Sequence, residues 1–80
     1  MNREISVVIV DDDDLVGAAV AALCERIAAV GVIGRAKTGR EGLVLVEKLV
    51  PTVALVDVLL PDFNGIDIAS YVREIGRAHV

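Results

Sequence analysis

Residues 5–10 read Ile-Ser-Val-Val-Ile-Val, a β-branched and almost wholly apolar run. That pattern suits a strand buried on both faces of a parallel sheet. Residues 53–56, Val-Ala-Leu-Val, have the same character, and residues 32–36 form a weaker strand between them. The intervening stretches change period. After the first strand, Leu15, Ala19, Ala22, Leu23 and Ile27 fall on one helical stripe, with Asp13 or Asp14 as the N-cap. This helix is expected to run to about residue 29 and to stop at Gly31. Thr38-Gly39-Arg40-Glu41 then matches a capping box. It opens a second helix with the stripe Leu43, Val46, Leu49 and Val50, closed by Pro51. Leu59 to Gly65 reads as a loop with Asn64-Gly65 as its turn signal. A last helix from near Gly65 is expected to bury Ile66 or Ile68, Ala69, Val72 and Ile75.

The order β-α-β-α-β-α predicts an α/β fold with a parallel sheet and right-handed crossovers. The first strand, the most apolar, belongs at the centre. The third is equally apolar, yet nothing after it in the chain supplies a cover for its far side, so the architecture reads as truncated.

Composition narrows the class without changing that picture. Eighty residues make one small domain, and 55% hydrophobic residues make it a globular one. A net charge of −4, with scattered Arg and Lys, argues against nucleic-acid binding by this segment. One cysteine, Cys24, cannot form an internal disulfide and points to a reducing compartment. No apolar stretch approaches the roughly 20 residues that span a bilayer, and a signal-peptide pattern is lacking. The expected location is the cytoplasm, with no membrane partner.

The candidate chemistry lies where the strands end. Asp11 to Asp14 follow the first strand directly, and Asp57 follows the third. Side by side in a parallel sheet, these strands bring Asp11, Asp12 and Asp57 to the edge where open α/β sheets bind ligands. Three neighbouring carboxylates repel one another, and a hard divalent cation such as Mg2+ relieves that repulsion. Asp13 and Asp14 read as capping and solvated residues, Thr38 as a helix cap, and Cys24 as a small core or boundary residue. Asp62, Asn64 and Asp67 read as turn and helix-start residues, and His79 has no chemical neighbours in sequence.

Val8-Ile9-Val10-Asp11-Asp12-Asp13, Ala36-Lys37-Thr38-Gly39-Arg40-Glu41-Gly42 and Leu55-Val56-Asp57-Val58-Leu59-Leu60-Pro61-Asp62-Phe63-Asn64-Gly65 together resemble the receiver domain of two-component response regulators. The likeness runs from about Ile5 to Arg73 and is specific in combination. It implies a flavodoxin-like, doubly wound sheet of strand order 2-1-3. It also implies a phosphorelay role, in which a histidine kinase or phosphotransfer protein supplies a phosphoryl group to Asp57. Asp11, Asp12, Asp57 and the backbone carbonyl of Leu59 are the implied Mg2+ ligands. Pro61 and Gly65 shape the loop. Such a domain moves phosphoryl onto itself and is not conventionally classed as an enzyme. The output domain that receivers regulate, often DNA-binding, is not in these residues.

The chain departs from the family where later strands would bring a serine or threonine and a lysine to the phosphoryl group. Lys37 and Lys48 fall in the wrong places to substitute. Residues 1–73 are therefore expected to be a partial receiver. Residues 74–80, Glu-Ile-Gly-Arg-Ala-His-Val, look like the translation of a sequencing adapter and are expected to be a non-native tail. The alternative function is a non-phosphorylated, receiver-like interaction module, which usually lacks the acidic trio. A small Mg2+-dependent hydrolase also uses strand-end aspartates, but 80 residues leave no substrate pocket.

Overall fold

The computed structural model describes residues 4–62. In chain order the elements are β1 (Ile5–Val10), α1 (Asp14–Glu25), β2 (Val30–Ala36), α2 (Gly39–Leu49) and β3 (Val53–Val56). The expected helix after Gly65 and the tail at residues 74–80 lie outside the described residues. The strands form a parallel sheet in the order β2-β1-β3, so the most apolar strand is central, as its composition requires. Val7, Val8, Ile9 and Val10 of β1 are all buried. Alternation along β1 sorts these side chains to opposite faces. Val8 and Val10 join Ala36, Ala54, Val46 and Leu60 on the α2 side. Val7 and Ile9 join Val30 on the α1 side, with Val20, Ala21 and Cys24 packed against them. One helix covers each face, which is the doubly wound α/β arrangement.

The second helix follows its sequence closely. Thr38 is the N-cap and accepts from the Glu41 N–H at 3.1 Å. Val46 is buried, and Leu43 lies against the core. Leu45, outside the expected stripe, also packs there, while Leu49 and Val50 at the helix end stay 40% and 42% exposed. Gly42 is buried because α2 lies directly on β1. A Cβ on Gly42 would sit 2.7 Å from Val10 Cγ2. Pro51 closes the helix as expected, with Val50 before it in the left-handed region at φ 46°.

The first helix corrects two expectations. Leu15, Leu23 and Ile27 of the expected core stripe are 80%, 61% and 58% exposed, and Ala19 and Ala22 are exposed as well. The sheet takes instead the face of Gly17, Val20, Ala21 and Cys24, spaced at three, four and seven residues. Small side chains let this helix approach the sheet, with Gly17 buried beneath the Arg35 guanidinium. The helix also ends at Glu25 rather than near residue 29. Tighter bonds take over there: the Arg26 N–H donates to Leu23 O and the Ile27 N–H to Cys24 O. Ala29 then turns the chain at φ 70° into a strand that starts at Val30, so Gly31 pairs with Ser6 inside β2 and stops no helix. Among the described residues no helix is long and apolar enough to cross a membrane.

Candidate functional site

The parallel register decides where the acidic residues meet. Val10 pairs with both Ala36 and Val56, so the residues after Val10 and Val56 leave the sheet side by side. The backbone bonds continue one step past the strands. The Asp11 N–H donates to Ala36 O at 3.0 Å, and the Asp57 N–H donates to Val10 O at 2.9 Å. Asp11 and Asp57 are thus held at the C-terminal edge by main-chain bonds before their side chains do anything. This edge, between the central strand and the strand beyond the reversal of order, is where open α/β sheets place ligands.

Asp11, Asp12 and Asp57 converge there, with one carboxylate oxygen of each within 4.8 Å of the others. Asp11 and Asp57 are half-buried and Asp12 is exposed. Two of the three carboxylates are oriented by amides two residues further on. The Asp13 N–H donates to Asp11 Oδ1 at 2.9 Å, and the Leu59 N–H donates to Asp57 Oδ1 at 3.1 Å. Each bond occupies one oxygen and leaves the carboxylate's remaining acceptor capacity for a ligand. An all-oxygen, all-anionic donor set that leaves coordination positions open suits Mg2+, which keeps several waters and takes few protein ligands. The residues present therefore fit that ion. A recess of about 380 Å3 lined by Val20, Leu55 and the two half-buried aspartates adjoins the trio.

The neighbouring residues divide into caps and clamps. Asp13 is the N-cap of α1, accepting from the Leu15 and Val16 N–H groups at 2.9 and 3.1 Å. Asp14 lies in the first turn and pairs with Lys37 Nζ at 3.1 Å. Arg35 Nη2 donates to the Asp14 carbonyl at 3.1 Å, so the end of β2 grips the start of α1 from outside the trio. Four consecutive aspartates thus separate by geometry into two that face the strand-end site and two that serve the helix.

Sequence reasoning missed one contact beside the site altogether. Asp62, read as a turn residue, reaches across to the start of α2. Its Oδ1 accepts from the Gly39 N–H at 2.7 Å and its Oδ2 from the Arg40 N–H at 3.0 Å. No local pattern announces a cap supplied from a loop 22 or more residues away. Leu59 and Leu60, in the same loop, are 78% exposed and 9% exposed respectively, so the loop is pinned by one buried leucine. Asn64 and Gly65 lie outside the described residues.

The profile of the response regulator receiver domain matches residues 7–80. Response regulator GacA of Pseudomonas protegens is 35% identical over 75 residues, covering 94% of this chain and 34% of that protein. A protein-glutamate methylesterase/protein-glutamine glutaminase of Methanospirillum hungatei is 33% identical over 61 residues, 76% of this chain and 17% of that one. Among solved structures, the signal receiver domain of NarL from Mycobacterium tuberculosis superposes with a TM-score of 0.87 at 31% identity, covering 94% of this chain and 60% of its own. The response regulator domain of Thermotoga maritima CheB gives 0.86 at 26% identity, covering 95% and 57%. The chain thus spans about a third of GacA's length and well under two thirds of either solved receiver.

Proposed function

The chain belongs to the response regulator receiver domain family of two-component systems, and from that premise we propose that Asp57 is its phosphoacceptor. The donor in this reading is the phosphohistidine of a histidine kinase or phosphotransfer protein in the cytoplasm. An Asp57 carboxylate oxygen attacks phosphorus, an O–P bond forms, and the P–N bond breaks with its electron pair going to the imidazole. The product is an aspartyl phosphate, a known type of covalent intermediate. The regulated output module, DNA-binding in many such proteins, belongs to the whole protein.

The observation that carries this reading is the convergence of Asp11, Asp12 and Asp57 at the β1/β3 edge. Asp11, Asp12, Asp57 and the Leu59 carbonyl are the proposed ligands of Mg2+. Bound there, the ion would neutralise charge on the phosphoryl oxygens, which is the main electrostatic requirement of phosphoryl transfer. The protein's own share is positioning. Main-chain bonds fix Asp11 and Asp57 at the sheet edge, and the Leu59 amide orients the attacking carboxylate. The Asp57 carboxylate is half-buried beside an open recess, with Oδ1 taken by the Leu59 amide and Oδ2 as the attacking oxygen of this reading.

Intact-mass measurement after exposure to a small phosphodonor with Mg2+ tests the assignment. The chain should gain one phosphoryl group, hydroxylamine should remove it, and Asp57→Asn should abolish the gain. A gain that survives Asp57→Asn would overturn Asp57 as the acceptor. No gain under any donor would favour the non-phosphorylated interaction module.

A further inference from the structure

The loop after β3 has two tasks in the proposed site, presenting Asp57 and turning the Leu59 carbonyl toward the same ion. Asp57 is fixed by its main-chain bond to Val10, and Leu60 is fixed by burial with Val8, Val10 and Val46. Leu59 between them is 78% exposed, so its side chain anchors nothing, and its N–H, bonded to Asp57 Oδ1, fixes only the side of the residue away from its carbonyl. The next side-chain anchor along the loop is Asp62. Its two oxygens take the Gly39 and Arg40 amides, the first two of α2, while Thr38 takes the third, that of Glu41. The start of α2 is therefore capped twice, once locally and once from the phosphoacceptor loop. A local cap such as Thr38 suffices to start a helix. The second cap, borne by another element, ties the loop to a helix whose position is set by Gly42 lying on Val10.

We propose that Asp62 is a positioning residue that clamps the phosphoacceptor loop to the N-terminus of α2 and so holds the Leu59 carbonyl in place for the ion. Resting on the reading of the acidic trio as a Mg2+ site, the inference adds a residue outside that trio on which its affinity depends. The clamp acts as groups behind metal ligands generally do, by orienting a donor it does not replace. A carboxylate on helix-start amides is also favoured by the helix dipole, so the tie holds without a buried partner.

The test uses the whole 80-residue chain, Mg2+ alone and isothermal titration calorimetry. Asp62→Ala should weaken Mg2+ binding by about tenfold. Thr38→Ala, which removes the other cap of the same helix, should leave the affinity within about twofold, since it touches only α2. Equal affinity in Asp62→Ala and the unaltered chain, or equal loss in both variants, would overturn the clamp. Asp62→Asn retains one acceptor oxygen, and it serves if the alanine variant fails to fold. If the unaltered chain binds no Mg2+, the reading of the trio fails, and metal-free amide NMR of Asp62→Asn still decides the clamp. Shifts at Gly39, Arg40, Leu59 and Leu60 together are expected. Shifts confined to Gly39 and Arg40 would show a plain helix cap and overturn the proposal.

Discussion

The two helices cover opposite faces of one sheet, but α2 is the more one-sided element, although Val44 on its outer side stays 51% exposed. It turns Gly39, Gly42 and Val46 inward and Arg40, Glu41, Glu47 and Lys48 outward. In α1 the run from Leu15 to Cys24 is apolar on every side, so its outward face still carries Leu15, Val16 and Leu23. The difference shows what a hydrophobic stripe can specify. Where polar residues mark the outer side, the inner side follows from the period. Where they are absent, size decides, and the sheet takes the small residues Gly17, Ala21 and Cys24 with Val20, leaving the leucines out.

Paired truncations give the largest expected contrast. Val46 is 1% exposed, and Val46→Ala should cost about 2 kcal/mol through lost transfer energy and the cavity left behind. Leu23 is 61% exposed, and Leu23→Ala should change stability by less than about 0.5 kcal/mol although more atoms are removed. Urea unfolding followed by circular dichroism reads both. A loss at Leu23 matching that at Val46 would mean that the outer face of α1 is covered in solution, and the asymmetry between the helices would collapse.

The buried glycines sharpen the same contrast at smaller magnitude. In Gly42→Ala the new methyl meets Val10 Cγ2 at 2.7 Å and Cγ1 at 2.9 Å, on a buried side chain with nowhere to go. The expected cost is about 1–2 kcal/mol after the gain in helix propensity is counted. In Gly17→Ala the nearest atom is Arg35 Nη2 at 2.9 Å, the far end of a flexible and exposed side chain. Arg35 can move aside by giving up its exposed bond to the Asp14 carbonyl, a loss that the gain in helix propensity offsets, so Gly17→Ala should stay within about 0.5 kcal/mol of the unaltered chain. Chemical denaturation of the two variants checks this. Equal losses would mean that Arg35 is held as firmly as Val10.

How much could be read beforehand follows the same division. The central place of β1 and the meeting of Asp11, Asp12 and Asp57 were legible, because they are carried by two continuous apolar runs that each end in a carboxylate, whereas the full strand order came with the resemblance to receiver domains. The cap at Thr38 and the stop at Pro51 were legible because both are local chemistry. The end of α1 was not. It rests on Ala29 adopting a left-handed conformation that alanine does not advertise, while Gly31, which does, sits in a strand. Nor was the reach of Asp62 to Gly39 and Arg40, since a contact between distant segments has no signature in either segment alone.

A gain in stability, smaller than the losses at Val46 and Gly42, is expected where the helices end. Both turns use a non-glycine residue at positive φ, Ala29 at 70° after α1 and Val50 at 46° after α2. A β-branched side chain suits that region least, because its branch crowds the backbone on both sides. Val50 also precedes Pro51, which narrows its choices further. At 42% exposure Val50 loses little burial on truncation. Val50→Gly should therefore raise stability by about 0.5–1 kcal/mol, strain relief exceeding the extra freedom that glycine gives the unfolded chain. Ala29→Gly should gain less, because alanine has no branch to relieve. Thermal unfolding is the check, with the midpoint expected to rise by about 4 °C for Val50→Gly and by a smaller amount for Ala29→Gly. A fall for Val50→Gly would mean that its packing outweighs the strain. The end of α2, like its buried face, would then be held by side-chain contacts rather than by backbone conformation.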